Sequence, residues 1–265
     1  MTLPFFQVDA FADRPFTGNP AAVMLLEDWP DDAVLQAVAS ENNLSETAFL
    51  VPLATGGEAD YALRWFTPTT EVVLCGHATL ASGHIVLSRD PGRDTVHFAT
   101  RHAGPLSVRR ADGGYELMLP SWRPVPRPLP DLVAALGIAP PRETLWHDQG
   151  YAVAVLDDEA AVRAVAPDFR ALARAGDLLV IVTAPGETAE VVSRAFAPGA
   201  GIDEDPVTGS AHGVITPYWA ERLGRDSFTA YQASARGGHI GCRLDGARVA
   251  LRGACVTVIE GQFRL

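Results

Sequence analysis

Two short segments bring together residue types that chemistry uses. Cys75-Gly76-His77-Ala78 and Thr208-Gly209-Ser210-Ala211 each set a glycine among small side chains, where a strand pattern gives way to an apolar helix. A helix N-terminus carries unpaired N–H groups and partial positive charge, so each start suits a carboxylate or phosphate. Gly76 and Gly209 let a ligand approach the backbone closely. Two such ends facing each other would clamp an anionic substrate from both sides, whereas either one alone equally suits tight helix packing. Candidates for proton transfer stand nearby. Glu46, in Asn42-Asn-Leu-Ser-Glu-Thr-Ala-Phe49, lies where a helix ends and an apolar strand begins. A glutamate desolvated at the mouth of a buried strand favours its protonated form and suits general acid/base work, although a lone surface glutamate is the commoner case. His77 could be a base, an acid, a hydrogen-bond donor or a metal ligand, or a satisfied half-buried histidine. Asp205, in Gly201-Ile-Asp-Glu-Asp-Pro206, reads as a solvated acidic turn unless its place just before the second helix start lets it touch substrate or orient the acid/base pair. Cys75 reads as a thiolate activated by a helix N-terminus or as a small buried residue.

The rest of the composition narrows the chemistry. The 265-residue chain has a formal net charge of −11, and its 21 basic residues are all arginine. Without lysine there is no Schiff-base chemistry and no phosphate-loop lysine. The acidic balance argues against a nucleic-acid partner. Seven histidines are dispersed without HExxH, and the three cysteines Cys75, Cys242 and Cys255 lack CxxC spacing, so no metal site is expected. No apolar run reaches membrane-spanning length and no signal peptide is seen, which with the few cysteines points to a cytoplasmic protein and no membrane partner.

These residues need elements to position them. Strand patterns cover Phe5–Asp9, Ala22–Leu26, Ser45–Val51, Tyr61–Phe66, Thr95–Thr100, Leu106–Arg110 and Tyr115–Leu119. A helix with Asp31 at its N-cap ends near Asn42–Asn43. Five prolines within Pro120–Pro130 predict an extended linker. Beyond it come helices at Asp131–Leu136, Glu159–Val165 and Asp168–Ala175, and strands near Trp146, at Ala152–Leu156 and at Leu178–Thr183. A hairpin follows, His239–Leu244 and Ala247–Arg252 about an Asp245-Gly246 turn, and then the strand Cys255–Glu260. Arg64-Trp-Phe-Thr-Pro68 and Arg194-Ala-Phe-Ala-Pro198 repeat one pattern 130 residues apart. Each is followed by acidic residues (Glu71; Asp203, Glu204 and Asp205) and by a glycine-led helix start. Two matching features in the same order predict a pseudo-symmetric pair of domains, residues 1–119 and 131–265 joined by the linker 120–130, with the last strand able to cross back to the first.

Taken together, Asp9-Ala-Phe11, Gly18-Asn-Pro20, Asn43-Leu-Ser-Glu46, Arg64-x-Phe-Thr-Pro68, Cys75-Gly-His-Ala-Thr79 and Glu204-Asp-Pro-Val-Thr-Gly-Ser210 resemble the PhzF-like family of phenazine-biosynthesis isomerases. The resemblance implies an α+β fold of the diaminopimelate epimerase type, two pseudo-symmetric α/β domains that each wrap a curved sheet around a central helix. It implies a cofactor-independent isomerase that moves a proton on a small carboxylate-bearing substrate, acting in a cleft between the domains. The family's catalytic glutamate falls on Glu46 and its supporting residues on His77, Asp205 and Ser210. The amides of Gly76/His77 and Gly209/Ser210 would hold the carboxylate, and Asn19 would line the site. Relatives form homodimers, so a homodimer is expected. Related epimerases use two cysteines, one before each helix-start glycine; here they are Cys75 and Thr208, which disfavours a two-thiol racemase. A Cys/Thr pair resembles hydroxyproline dehydratases, and the second reading is therefore a Cys75/Thr208-dependent dehydratase or epimerase. A third is a non-catalytic binding protein that retains the cleft.

Overall fold

A computed structural model describes residues 2–265. The chain divides into two compact units, one running to Leu119 and taking in Arg252–Leu265, the other spanning Pro120–Leu251. The first unit contains β1 (Thr2–Ala10), β2 (Asn19–Leu25), α1 (Asp32–Asn42), β3 (Glu46–Pro52), β4 (Tyr61–Phe66), β5 (Glu71–Val72), α2 (Gly76–Arg89), β6 (Thr95–Thr100), β7 (Leu106–Ala111) and β8 (Gly114–Pro120). The C-terminal strand Cys255–Arg264 pairs antiparallel with β1.

The sequence of α2 explains its central place. Small and apolar residues surround it on all sides, and all but three of its fourteen residues are buried. Strands β1, β2, β3, β6 and β7 and the C-terminal strand pack against it. Its polar side chains cause no loss because they bond back one turn: Thr79 Oγ1 donates to the Cys75 carbonyl at 2.6 Å and Ser82 Oγ to that of Ala78 at 2.7 Å. Gly83 is required by packing, since a Cβ there would lie 2.3 Å from Val108 Cγ1. On the far face of β3, Leu35, Val38 and Ala39 of α1 join Met24, Phe49 and Phe66 in a second core cluster. Covered on both faces, β3 is buried almost throughout and lacks polar alternation. Asp31 does occupy the N-cap of α1, but its side chain makes no capping bond; the helix ends on Asn43 in the left-handed region at φ 49°.

The second unit contains β9 (Val125–Pro126), α3 (Pro130–Leu136), β10 (Glu143–His147), β11 (Tyr151–Val155), α4 (Glu159–Ala164), α5 (Phe169–Arg174), β12 (Leu179–Pro185), β13 (Val191–Ala197), β14 (Ile202–Asp205), α6 (Gly209–Leu223), β15 (Ser227–Gln232) and β16 (Gly238–Asp245). The strand Arg248–Gly253 follows. Strands β13 and β15 escape a reading by alternation. The first is buried on both faces, and the inward side of the second carries Ala230 and Gln232 beside Phe228. The proline-rich stretch is extended and strapped down: Ser121 N–H donates to Ala247 at 3.0 Å and Arg127 N–H to Thr144 at 2.9 Å, while β9 pairs with β10. Its most informative bond runs to α6. Pro217 lies inside that helix and cannot donate to the Gly213 carbonyl one turn back. Trp122 N–H supplies the missing bond at 3.1 Å, and its ring packs where a Gly213 Cβ would stand.

Each unit repeats one topology. In the first, β2 runs parallel to β3, β3 antiparallel to β4, β4 antiparallel to β5 and parallel to β6, and β6 antiparallel to β7. In the second, β11, β12, β13, β14, β15 and β16 reproduce these relations in the same order. The repeated arginine motif has a physical basis. Arg64 grips Glu71 through Nε and Nη2, both at 2.7 Å, and Arg194 grips Glu204 at 2.7 and 2.9 Å. Each guanidinium stacks 5.0 Å over the phenylalanine two residues on, Phe66 or Phe196. Glu71 and Glu204 each precede the residue that opens the central helix, Cys75 or Thr208, by four positions. The bidentate pairs therefore fix the segments that lead into both helix starts. No helix among the described residues is long and apolar enough to cross a membrane.

Candidate active site

In the first unit, β2 and β3 run parallel with Ala21 opposite Glu46, so Asn19 and Glu46 lie at the same end of the sheet. The start of α2 brings Cys75, Gly76 and His77 to that end. Asn19, Cys75 and His77 are buried and Glu46 nearly so, with 12 % of its side chain exposed. His77 Nε2 lies 3.1 Å from Glu46 Oε2. The approach is close but poorly aligned, and Oε2 is a buried oxygen with no hydrogen-bond partner. On the other side of the ring, His77 Nδ1 is 3.1 Å from Asn19 Nδ2, and Asn19 Oδ1 accepts from Ser45 Oγ at 3.1 Å.

Cys75 Sγ lies 3.5 Å from Nδ1 and 4.0 Å from Nε2 of the same ring. A sulfur on the in-plane lone pair of one nitrogen would be far from the other, so the thiol sits over the ring face. The Glu46, Cys75 and His77 donor atoms do cluster within 4.8 Å, a grouping that the scattered histidines did not foretell. With the sulfur off the plane of the imidazole, however, these side chains do not converge on one metal position.

The charges in this group follow from burial and proximity. Burial, and then the Glu46 charge, push the Cys75 thiol up to about 11. The helix N-terminus is outweighed, and Cys75 is a neutral thiol at physiological pH rather than the activated thiolate its position suggests. Burial works against a charged His77, but Cys75 and Glu46 overcome it and hold the imidazole pKa well above its usual value. Because the thiol is uncharged, the Glu46 carboxylate is the charge responsible. No side chain caps α2 at Cys75, which leaves the first-turn donors of that helix without a competing cap.

The second unit holds the other group. Asp205 ends β14, and Thr208 stands at the N-cap of α6, likewise without a side-chain capping bond, because its hydroxyl donates to Asp205 Oδ2 at 2.6 Å. Gln232, fully buried at the end of β15, knits this turn together. Its Nε2 donates to the Asp205 carbonyl at 2.7 Å and to Thr208 Oγ1 at 3.0 Å, and its Oε1 accepts from Thr208 N–H at 2.8 Å. Gly209 and Ser210 follow as the first turn of α6, and burial raises the pKa of the Tyr151 phenol, an effect that Ser210 opposes. His212, buried against the Thr208 carbonyl at 2.8 Å, is pushed down to about 4 by burial and is neutral. Gln232, Tyr151 and Ser45 carry no motif of their own. The signal that could have found Gln232 is a polar residue on the inward side of a strand, and that Ser45 immediately precedes Glu46.

The fold is a mixed α+β architecture of the epimerase-like kind, in which a repeated sheet carries a buried helix with an open N-terminus. It matches the hydroxyproline epimerase of Agrobacterium vitis at a TM-score of 0.62 and 14 % identity, covering 98 % of this chain and 92 % of that one. The sequence profile of the phenazine biosynthesis-like proteins spans residues 8–261, and the chain belongs to that family. A protein of Pseudomonas aeruginosa named as an uncharacterized isomerase is 49 % identical over the whole length of both chains. The crystal structure of a PhzF-family phenazine biosynthesis protein from Enterococcus faecalis superimposes at a TM-score of 0.91, with 44 % identity and full coverage of both chains.

Proposed function

We propose that this protein is a cofactor-independent isomerase that moves a proton on a small carboxylate-bearing substrate, with Glu46 as the group that carries the proton. The observation behind this reading is Glu46 Oε2, a buried oxygen without a hydrogen-bond partner held 3.1 Å from His77 Nε2. A base needs a lone pair that nothing else occupies, and a buried carboxylate of this kind is costly unless a neighbouring charge offsets it. The His77 imidazolium is that charge. Glu46 takes a proton from an activated carbon; the electron pair of the broken C–H bond moves into the conjugated substrate, and Glu46 returns the proton at a second carbon. The uncapped start of α2, with the Gly76 and His77 amides, suits a substrate carboxylate. In the second unit the Gly209 and Ser210 amides offer the same kind of donors, beside Asp205 and Thr208.

The test is solvent deuterium incorporation into a panel of small unsaturated, amino and hydroxy acids, followed by NMR. Glu46→Gln should abolish incorporation while the circular dichroism spectrum stays native; undiminished incorporation rejects Glu46 as the base. The dehydratase or epimerase reading needs a thiolate at Cys75, which burial and the Glu46 charge both oppose.

A further inference from the structure

Among the described residues three buried side-chain atoms lack a hydrogen-bond partner, and two of them lie on one face of one strand pair. Glu46 Oε2 is an acceptor without a donor, and Trp65 Nε1 is a donor without an acceptor. Trp65 on β4 stands directly opposite Ala48 on β3, and Glu46 is two residues from Ala48 along β3. Side chains alternate along a strand. Glu46, Ala48 and Trp65 therefore share the face turned to α2, while Thr47, Phe49 and Phe66 share the one turned to α1. Glu46 and Trp65 are thus diagonal neighbours across the pair, about 7–8 Å apart, a gap that an aromatic and a long side chain span.

Packing does not account for the indole N–H. Trp65 is 2 % exposed, and the residues directly opposite it, Ala48 on β3 and Val72 on β5, have no acceptor on their side chains. A phenyl ring fills such a space without burying a donor, whose desolvation costs free energy while it stays unbonded. The second unit supplies the contrast. Val180 pairs with Phe196 as Thr47 does with Phe66, so Leu179 stands where Glu46 stands and Ala195 where Trp65 does. The half that lacks the carboxylate also lacks the indole.

We infer that Trp65 is a positioning residue for Glu46, its indole N–H being the second partner of a carboxyl group that turns between His77 and Trp65. This deepens the isomerase reading above and rests on it for its catalytic meaning. While Glu46 and His77 are both charged, their attraction outweighs one hydrogen bond, and Oε2 stays 3.1 Å from Nε2. Once Glu46 has taken a substrate proton it is neutral, and that attraction is gone. Its carbonyl oxygen then accepts from Trp65 Nε1–H, and the oxygen that carries the proton is held for return to the second carbon. The indole keeps its own proton throughout, so no bond changes beyond the proton transfer already described.

The test reads the Trp65 Nε1–H resonance by NMR in full-length protein carrying nitrogen-labelled tryptophan, one of five indole signals, identified by its absence from Trp65→Phe. Glu46→Gln and His77→Leu each abolish the ion pair and leave a carbonyl oxygen at position 46 able to turn. In both, the resonance should move downfield and its exchange with solvent should slow by about fivefold, the worth of one ordinary hydrogen bond. Glu46→Leu offers no acceptor and should leave the signal at its wild-type position and exchange rate. An unchanged signal in Glu46→Gln or His77→Leu with a native circular dichroism spectrum, or an equal change in Glu46→Leu, overturns the proposal. This readout needs no substrate. If Glu46→Gln retains proton exchange with the acid panel while the indole responds as expected, the isomerase assignment fails and Trp65 stands as the second partner of Glu46.

Discussion

Glu46→Gln is the most informative single change because it separates two sources of charge on His77. The substitution preserves shape and removes a carboxylate whose Oε2 lies 3.1 Å from His77 Nε2, with 12 % and 4 % of the two side chains exposed. At an effective dielectric of about 20, a unit pair at that distance attracts by about 5 kcal/mol. Burial of the imidazole opposes this attraction, and the high His77 pKa means that attraction prevails. Without Glu46 only Cys75 is left to oppose burial, and its thiol, pushed up to about 11, is uncharged near neutral pH. His77 should then become neutral, which NMR of the ring nitrogens reads directly. The same loss appears in stability. A base whose folded pKa is raised stabilises the native state fully below its unfolded value of about 6.5, and that contribution fades as pH rises through the folded value. Denaturant midpoints of the wild type should therefore lose this contribution on the alkaline side, and those of Glu46→Gln should not. A charged His77 in Glu46→Gln near neutral pH would refute the argument. It would mean that Cys75 is a thiolate paired with the imidazolium, and thiol chemistry would replace carboxylate chemistry.

Other expectations follow from the same geometry. His212 has the opposite sign to His77: its folded pKa is lowered to about 4, so stability falls as pH drops from about 6.5 through about 4, by up to about 3 kcal/mol. His212→Gln should flatten that part of the denaturation profile. Gln232→Leu removes the three bonds that Gln232 makes to Asp205 and Thr208 and strands buried backbone groups, a loss of about 3–5 kcal/mol expected in urea denaturation. Gly83→Ala drives a methyl into Val108 and should cost about 1–3 kcal/mol, and Val108→Ala in the same chain should recover part of it. Cys75, buried and with its thiol held at about 11, should resist iodoacetamide in the native protein near neutral pH and react only on unfolding, as mass spectrometry would detect.

How much of this was open to a reader of the sequence depends on the range of the interactions. The duplicated Arg-x-Phe-x-Pro pattern was legible because the clamp it builds is nearly local: Arg64 reaches seven residues to Glu71, and Arg194 reaches ten to Glu204. The two helix starts were legible for the same reason, since a glycine among small residues before an apolar run is a local signature. Strands β13 and β15 were not, because burial on both faces and inward Ala230 and Gln232 erase the period of two.

The residue types, the missing lysine, the repeated motifs and the order of elements were determined by sequence alone, since each depends on chain chemistry or short-range geometry. Tertiary structure decided the rest. Asn19 meets His77 across 58 residues, and Gln232 meets Thr208 across 24, through sheet register that no local signal encodes. It also decided the state of Cys75. A helix N-terminus favours the thiolate, but full burial beside a carboxylate disfavours it more strongly, and solvent exclusion exists only once the sheet has closed around α2.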